Sequence, residues 1–509
     1  MSEAMPEPSV FDGLRPAGLW RHFAAITRIP RPSGREERMA EYVRDWAGRL
    51  GYAVREDGAG NLCVHVPAPS GREQAPVVVL QSHLDMVCQR EPDTPYDPEQ
   101  GSIHPVREGD WIRAEGTTLG ADNGIGVAAM LHAAESPEVA RGPLDLLFTV
   151  EEETGLVGAQ ALDPGLLRGR ILLNLDNETD GSLCVGCAGS RYAMLTLRMP
   201  RTAVPSGWTG LRVSIGGLRG GHSGMDIDKP RLNANRTLAR LLQSVSGSAE
   251  LRLARFDGGT ARNAIPREAS ATVFVPAGSE EEARTALAEE ARALRDQHAS
   301  SEDGLEVAVE SAGPEETAAW TVDDSGRLIG LLTALPCGVL AMSSAIPGLV
   351  ETSSNVGTVE TEGDEVRIGC LLRSSYDPAL EEGANTIREA ARAAGAEVSD
   401  ISGYPGWQPD LESRALAVAR GTFRGLFDRD PEIMAVHAGL ECGIIGERAP
   451  GMDMVSFGPA IEGAHAPGER VHVGSTERFW RLLVAILDDL SKDGRAAIGS
   501  DDLGASTTS

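Results

Sequence analysis

Residues 76–85 read PVVVLQSHLD, an apolar, β-branched run that passes without a break into His83 and Asp85. A run this short and this apolar reads as a strand buried on both faces. The same event recurs three times. Residues 144–150 (LDLLFTV) lead straight into Glu151, Glu152 and Glu153, residues 171–175 (ILLNL) into Asp176, and residues 454–458 (MVSFG) into a loop that holds His465. Helical patterns separate the runs, at 35–50, where the pattern stops at Gly51, at 124–134, and at 476–490, with Thr476 as N-cap. Alternating strands and helices predict an α/β domain with a mixed sheet flanked by helices. In open sheets of this kind ligands sit beyond the carboxyl ends of the strands, so the four loops can converge on one place.

Residues 211–310 are patterned differently. A strand, a helix, two strands, a long charged helix at 280–298 and a last strand follow one another, the β-α-β-β-α-β order of a ferredoxin-like unit. Residues 320–403 add helices and at least three strands. We therefore expect a catalytic domain formed by 1–189 and 404–490. An α+β domain, 190–403, is inserted into it. A loose acidic start at 1–10 and a disordered tail at 491–509 complete the expected plan.

The 509 residues carry 47 Lys and Arg against 75 Asp and Glu, a net charge of −28. Such a surface repels phosphate and argues against nucleic acid and anionic membranes as partners. No apolar run approaches the ~18 residues of a membrane span. The first ten residues, MSEAMPEPSV, lack the basic and apolar segments of a secretory signal. Seven cysteines in so long a chain suit a reducing compartment, and a cytoplasmic protein is expected. Cys184 and Cys187 form a lone CxxC, read as small residues of a turn beside Gly186 and Gly189.

The chemistry follows from charge. Three adjacent glutamates at the end of a buried strand repel one another and lose hydration, so something cationic should offset them. Lys and Arg are absent from the neighbouring loop, which leaves a metal ion. Carboxylate oxygen with imidazole nitrogen, and no thiolate, suits zinc in an open catalytic site. Each piece alone has an ordinary reading: His-x-Asp is common, a Glu triplet is a solvated surface run, and Asp after a strand caps a helix. Their joint occurrence is what points to a centre.

The motifs SHLDMV (82–87), GADNGIG (120–126), EEETG (151–155), NLDNE (174–178) and GGHSGMDI (220–227), in this order, resemble the cytoplasmic di-zinc peptidase family. GLRGGHSGMDI (217–227), RNAIPREA (262–269), CLLRSS (370–375) and HAGLECG (437–443) are similar to its aminoacyl-histidine dipeptidase branch. The resemblance covers about residues 15–490. It implies two zinc ions per chain, with Mn²⁺ or Co²⁺ able to substitute. Asp122 bridges them, His83 and Asp176 complete one site, and Glu153 and His465 complete the other. Asp85 orients His83, and Glu152 is the general base. It also implies a cis peptide after Asp122 and an inserted domain that acts as lid and dimerisation surface. His222 would then donate to the oxyanion across a homodimer interface, Asn263 would add a second donor, and Arg373 would clamp the substrate carboxylate. His437 and Glu441 fit packing or capping better than the pocket. The expected reaction is hydrolysis of an Xaa-His-type dipeptide. The rivals are an N-acyl-amino-acid deacylase or another di- or tripeptidase of the family, and an inactive relative that only binds.

Overall fold

All four apolar runs become strands in the computed structural model, and they lie side by side. The structure describes residues 10–313, 316–399 and 401–498; the acidic start at 1–9 and the stretch 499–509 lie outside the described residues. Val78–His83 pairs in parallel with Leu144–Thr149 on one side and Ile171–Asn174 on the other, and Asp453–Ser456 adds in parallel beyond Ile171–Asn174. The antiparallel pair Ala53–Glu56 and Leu62–Val66 continues the sheet at one edge, with Ser182–Cys187 and Glu432–Val436 at the other, giving eight strands. Parallel pairing aligns the carboxyl ends, so His83, the glutamates, Asp176 and the segment after Ser456 all emerge along one rim.

Helix Ala121–Glu135 follows from its sequence. Its small and apolar residues occupy all sides, and nearly all of them are buried, as expected of a helix covered all round. Glu37–Leu50 ends on Gly51, which adopts the left-handed conformation at φ 71°. The closing helix, Val473–Ile498, departs from expectation at both ends. It begins before Thr476, whose hydroxyl donates to the His472 carbonyl (3.0 Å) inside the helix. It also runs through 491–498, so the first part of the expected tail is helical.

Cys184 and Cys187 lie in strand Ser182–Cys187 rather than in a turn. Three positions apart on a strand, their side chains leave opposite faces and cannot share a metal ion.

The chain divides into two compact units. One takes the residues up to Gly186, Pro409–Ala435 and those from Leu440 on; the other takes Cys187–Gln408 and Val436–Gly439. In the second unit Trp208–Gly216, Arg252–Gly258, Ala269–Pro276 and Glu306–Ser311 pair antiparallel in the spatial order fourth, first, third, second. Helices Ala234–Ser246 and Glu280–His298 provide the crossovers of the ferredoxin-like plan. Val350–Glu362, Glu365–Ser374 and Gly189–Arg198 prolong the sheet, which reaches ten strands. Leu211, Val213, Leu238, Leu242, Leu287 and Ile368 belong to its buried core. No helix among the described residues is long and apolar enough to cross a membrane.

Candidate active site

The rim of the first unit gathers His83, Asp85, Asp122, Glu152, Glu153, Asp176 and His465. Asp122 stands between two imidazoles and gives one oxygen to each: Oδ1 lies 3.1 Å from His83 Nε2, and Oδ2 lies 3.1 Å from His465 Nε2. His83 Nε2 is also 3.4 Å from Asp176 Oδ1, and His465 Nε2 is 3.0 Å from Glu153 Oε2. Behind His83, Asp85 Oδ1 faces Nδ1 at 3.3 Å. The same carboxylate accepts from Ser33 Oγ (2.7 Å) and from the backbone N–H groups of Glu152 and Glu153 (3.1 Å each). Asp85 therefore fixes the glutamate turn and lies against the imidazole.

Asn123 holds the next carboxylate, donating from Nδ2 to Asp176 Oδ1 (2.5 Å) and to the Leu175 carbonyl (2.9 Å). The Asp122–Asn123 peptide is cis.

The electrostatics are one-sided. Burial opposes a charge on His83, but Asp176, Asp122 and Asp85 outweigh it and raise its pKa well above the usual range. Hydrogen bonds to Asp122 and Glu153 push His465 up to about 11. Burial drives Asp176 up to about 6 and Glu178 to about 8. Burial also raises Glu152 well above the carboxylate range, helped by the charges of Asp176, Glu441 and Glu153 and opposed by His83.

These residues fit metal ions better than they fit one another. Each imidazole Nε2 faces two carboxylate oxygens, yet its single N–H can serve only one. A cation placed among each set serves all three ligands. Glu153 Oε1 is buried with no hydrogen-bond partner. His83, Asp122 and Glu153 offer ligand atoms that all lie within 4.8 Å of one another. A second trio, Cys63, His65 and Asp145, is close enough for a metal but differently committed. The Asp145 carboxylate is taken by the Arg168 side chain and by the backbone N–H groups of Arg168 and Gly169, and burial raises the Cys63 thiol.

A model of peptidase family M20/M25/M40 matches residues 79–489. The chain belongs to this family. It is therefore a hydrolase, a metallopeptidase. The cytosol non-specific dipeptidase of Escherichia coli is 41% identical over 477 residues, which cover 94% of this chain and 98% of that one. The crystal structure of aminoacylhistidine dipeptidase from Vibrio alginolyticus superposes with a TM-score of 0.88 at 40% identity, covering 95% and 98% of the two chains. An aminopeptidase from Bacillus cereus shares the fold at a TM-score of 0.56 and 18% identity, over 94% of this chain and 100% of its own.

Two further residues of this M20/M25/M40 member stand near the site, and neither is conspicuous in the sequence. Arg31 and Glu469 are buried beside it, although no cation was expected near the acidic loops. Arg31 stands about fifty positions before Asp85, and it spends its N–H groups on carbonyls rather than on the carboxylates. Glu441, expected in packing or capping rather than in the pocket, is fully buried. Its Oε2 accepts from Gln81 (2.6 Å) and Thr149 (2.7 Å), and burial lifts it to about 7.

The remaining expected residues lie in the second unit. His222 Nδ1 accepts the backbone N–H groups of Gly224 (3.2 Å) and Met225 (3.0 Å), which leaves the ring proton on Nε2. Burial, then the positive Arg373, lowers its pKa and keeps it neutral. Arg373 is buried. Asn263 is exposed, and its backbone carbonyl accepts from Ser223. His437 is buried, with Nε2 2.7 Å from Ser353 Oγ.

Proposed function

We propose that this chain hydrolyses dipeptides, those with a C-terminal histidine among them, at a centre of two divalent ions. The observation that carries the reading is Asp122, with one oxygen on each of two imidazoles and a further carboxylate beside each. His83, Asp122 and Asp176 would hold one ion, and Glu153, Asp122 and His465 the other. When bound, such ions polarise the scissile carbonyl and acidify water.

The protein's own groups supply the rest. Glu152 is the proton acceptor. It neighbours the proposed ligand Glu153, where a carboxylate can take a proton from water and return it to the leaving amine. Asp85 keeps His83 in the tautomer whose Nε2 points at the centre. His222, neutral with its proton on Nε2, is suited to donate to an oxygen that becomes negative in the transition state. Arg373 supplies a buried positive charge for a terminal carboxylate. The similarity to a non-specific dipeptidase and to an aminoacylhistidine dipeptidase supports small peptides as substrates.

The test assays a panel of dipeptides, tripeptides and N-acyl amino acids with zinc or manganese, beside elemental analysis of the purified protein. We expect two divalent ions per chain, cleavage of dipeptides above the other classes, and loss of activity on chelation. Activity without bound metal would sink the mechanism, and preference for N-acyl amino acids would sink the substrate class.

A further inference from the structure

Two buried groups of opposite charge hold the loop that presents Asp122, and neither lies in a motif that carries the chemistry. Glu469 is 1% exposed. Its carboxylate takes an N–H from each of four successive residues. Oε2 accepts from Leu119 (2.7 Å) and Gly120 (2.8 Å), and Oε1 accepts from Ala121 (2.7 Å) and Asp122 (3.2 Å). Arg31 is 2% exposed. Its Nη1 donates to the carbonyls of Leu84 (2.9 Å) and Asp85 (2.6 Å), and its Nη2 to that of Gly120 (2.5 Å). The guanidinium thus joins the segment after His83 to the loop before Asp122. The carboxylate joins that same loop to the segment after His465. Gly120 is the pivot: it sits at φ 67°, and a Cβ there would meet Arg31 Nη2 at 2.5 Å and Met86 Sδ at 2.6 Å.

We infer that Glu469 and Arg31 are positioning residues that build the Asp122 loop before a metal arrives, so that the ions meet a finished bridge. The inference rests on the metal centre proposed above. A buried carboxylate needs compensation, and here four N–H groups provide it. Only an ionised carboxylate can accept all four. A carboxamide must turn its own N–H₂ toward two N–H donors, and because both oxygens are engaged twice, flipping the amide gives no relief. Arg31 is equally specific. Its planar fork reaches three carbonyls on two segments, which a lysine ammonium cannot span.

Hydrogen exchange tests the order of events directly. In the metal-free wild-type protein the amides of 119–122 should already be protected, and zinc alone should slow them by less than about tenfold. Free exchange without metal, with protection appearing only on adding zinc, would show that the ions order the loop and would overturn the inference. Glu469→Gln gives the second readout. Its affinity for zinc, measured against a chromogenic chelator, should fall by roughly 10–100-fold, and Glu469→Asp, which restores the charge, should recover part of the loss. Wild-type affinity in Glu469→Gln would overturn this inference alone, and no uptake of divalent ions by the wild type would overturn the metal centre with it. If Glu469→Gln does not fold, Arg31→Lys carries the same measurement from the other side of the loop.

Discussion

Glu152 and His437 are single residues whose environments make opposite demands, and each yields a measurement. Glu152 hangs beyond a buried strand end, next to Glu153, whose backbone N–H is fixed by Asp85. Glu152→Gln keeps the volume and loses the base, so we expect turnover to fall by roughly 10²–10⁴-fold with the metal content unchanged; near-normal turnover would move the base elsewhere, with Glu151 the first alternative. His437 is held neutral. Burial, with Arg373 and His222 nearby, lowers it from 6.5 to about 4. Between those values the unfolded chain binds a proton that the folded one refuses, so stability rises with pH across this window and falls as pH drops from 6.5 toward 4. Thermal melting from pH 7 to pH 4 should show a shallower acid decline in His437→Gln, with a difference of up to a few kcal/mol at the acid end. His83, the glutamates and Asp176 were legible as a group because each follows a buried apolar run directly, whereas Asp122, at the start of helix Ala121–Glu135, came only from the resemblance. Glu469 was not legible: a lone glutamate between Gly468 and Arg470 looks like a solvated loop residue, and only the folded chain sets four N–H groups against it.

At the scale of elements, the helix Ala121–Glu135 shows why glycines cluster at the centre. A Cβ at Gly126 would meet Asn123 Oδ1 at 2.4 Å, Ser82 Oγ at 2.5 Å and the Leu175 carbonyl at 2.7 Å. Gly126→Ala should therefore cost about 1–3 kcal/mol and push Asn123 off Asp176. Thermal melting together with zinc titration checks both parts, and unchanged values for both would refute the packing account. Strand identities were readable because each apolar run is short and ends in polar residues. Helix ends were less so. Thr476 has the chemistry of a cap, but the segment before it is already committed: the Ser475 backbone N–H donates to His472 Nδ1 (3.0 Å) and the Ser475 hydroxyl to the His472 carbonyl (2.8 Å), so the helix starts earlier. The stretch 491–498 has few core-forming residues, yet it extends a helix whose preceding turns bury Leu483, Ile486, Leu487 and Leu490, and propagation needs far less than nucleation.

For the whole molecule, the ferredoxin-like plan was readable from element order alone, whereas the lengthening of its sheet to ten strands depends on pairings far apart in sequence. The resemblance places His222 across a homodimer interface, and subunit exchange tests this. Mixing inactive Glu152→Gln and His222→Ala chains should restore about a quarter of wild-type activity if the histidine acts in trans; a mixture that stays dead after proven exchange would assign it to its own chain. The parallel pairing of Asp453–Ser456 with Ile171–Asn174 also sets a timetable. Ser456 Oγ bonds Asn174 Oδ1 across 282 positions of chain, and His465 and Glu469 lie later still. While the protein is being synthesised, every earlier residue of the proposed centre leaves the ribosome well before the strand that completes the rim. Closing so long a loop is slow, and the second unit can fold in the interval. On the proposed ligand set, a nascent chain would carry His83, Asp122, Glu153 and Asp176 without His465, and would be unable to cleave peptides in its surroundings until its translation is nearly done.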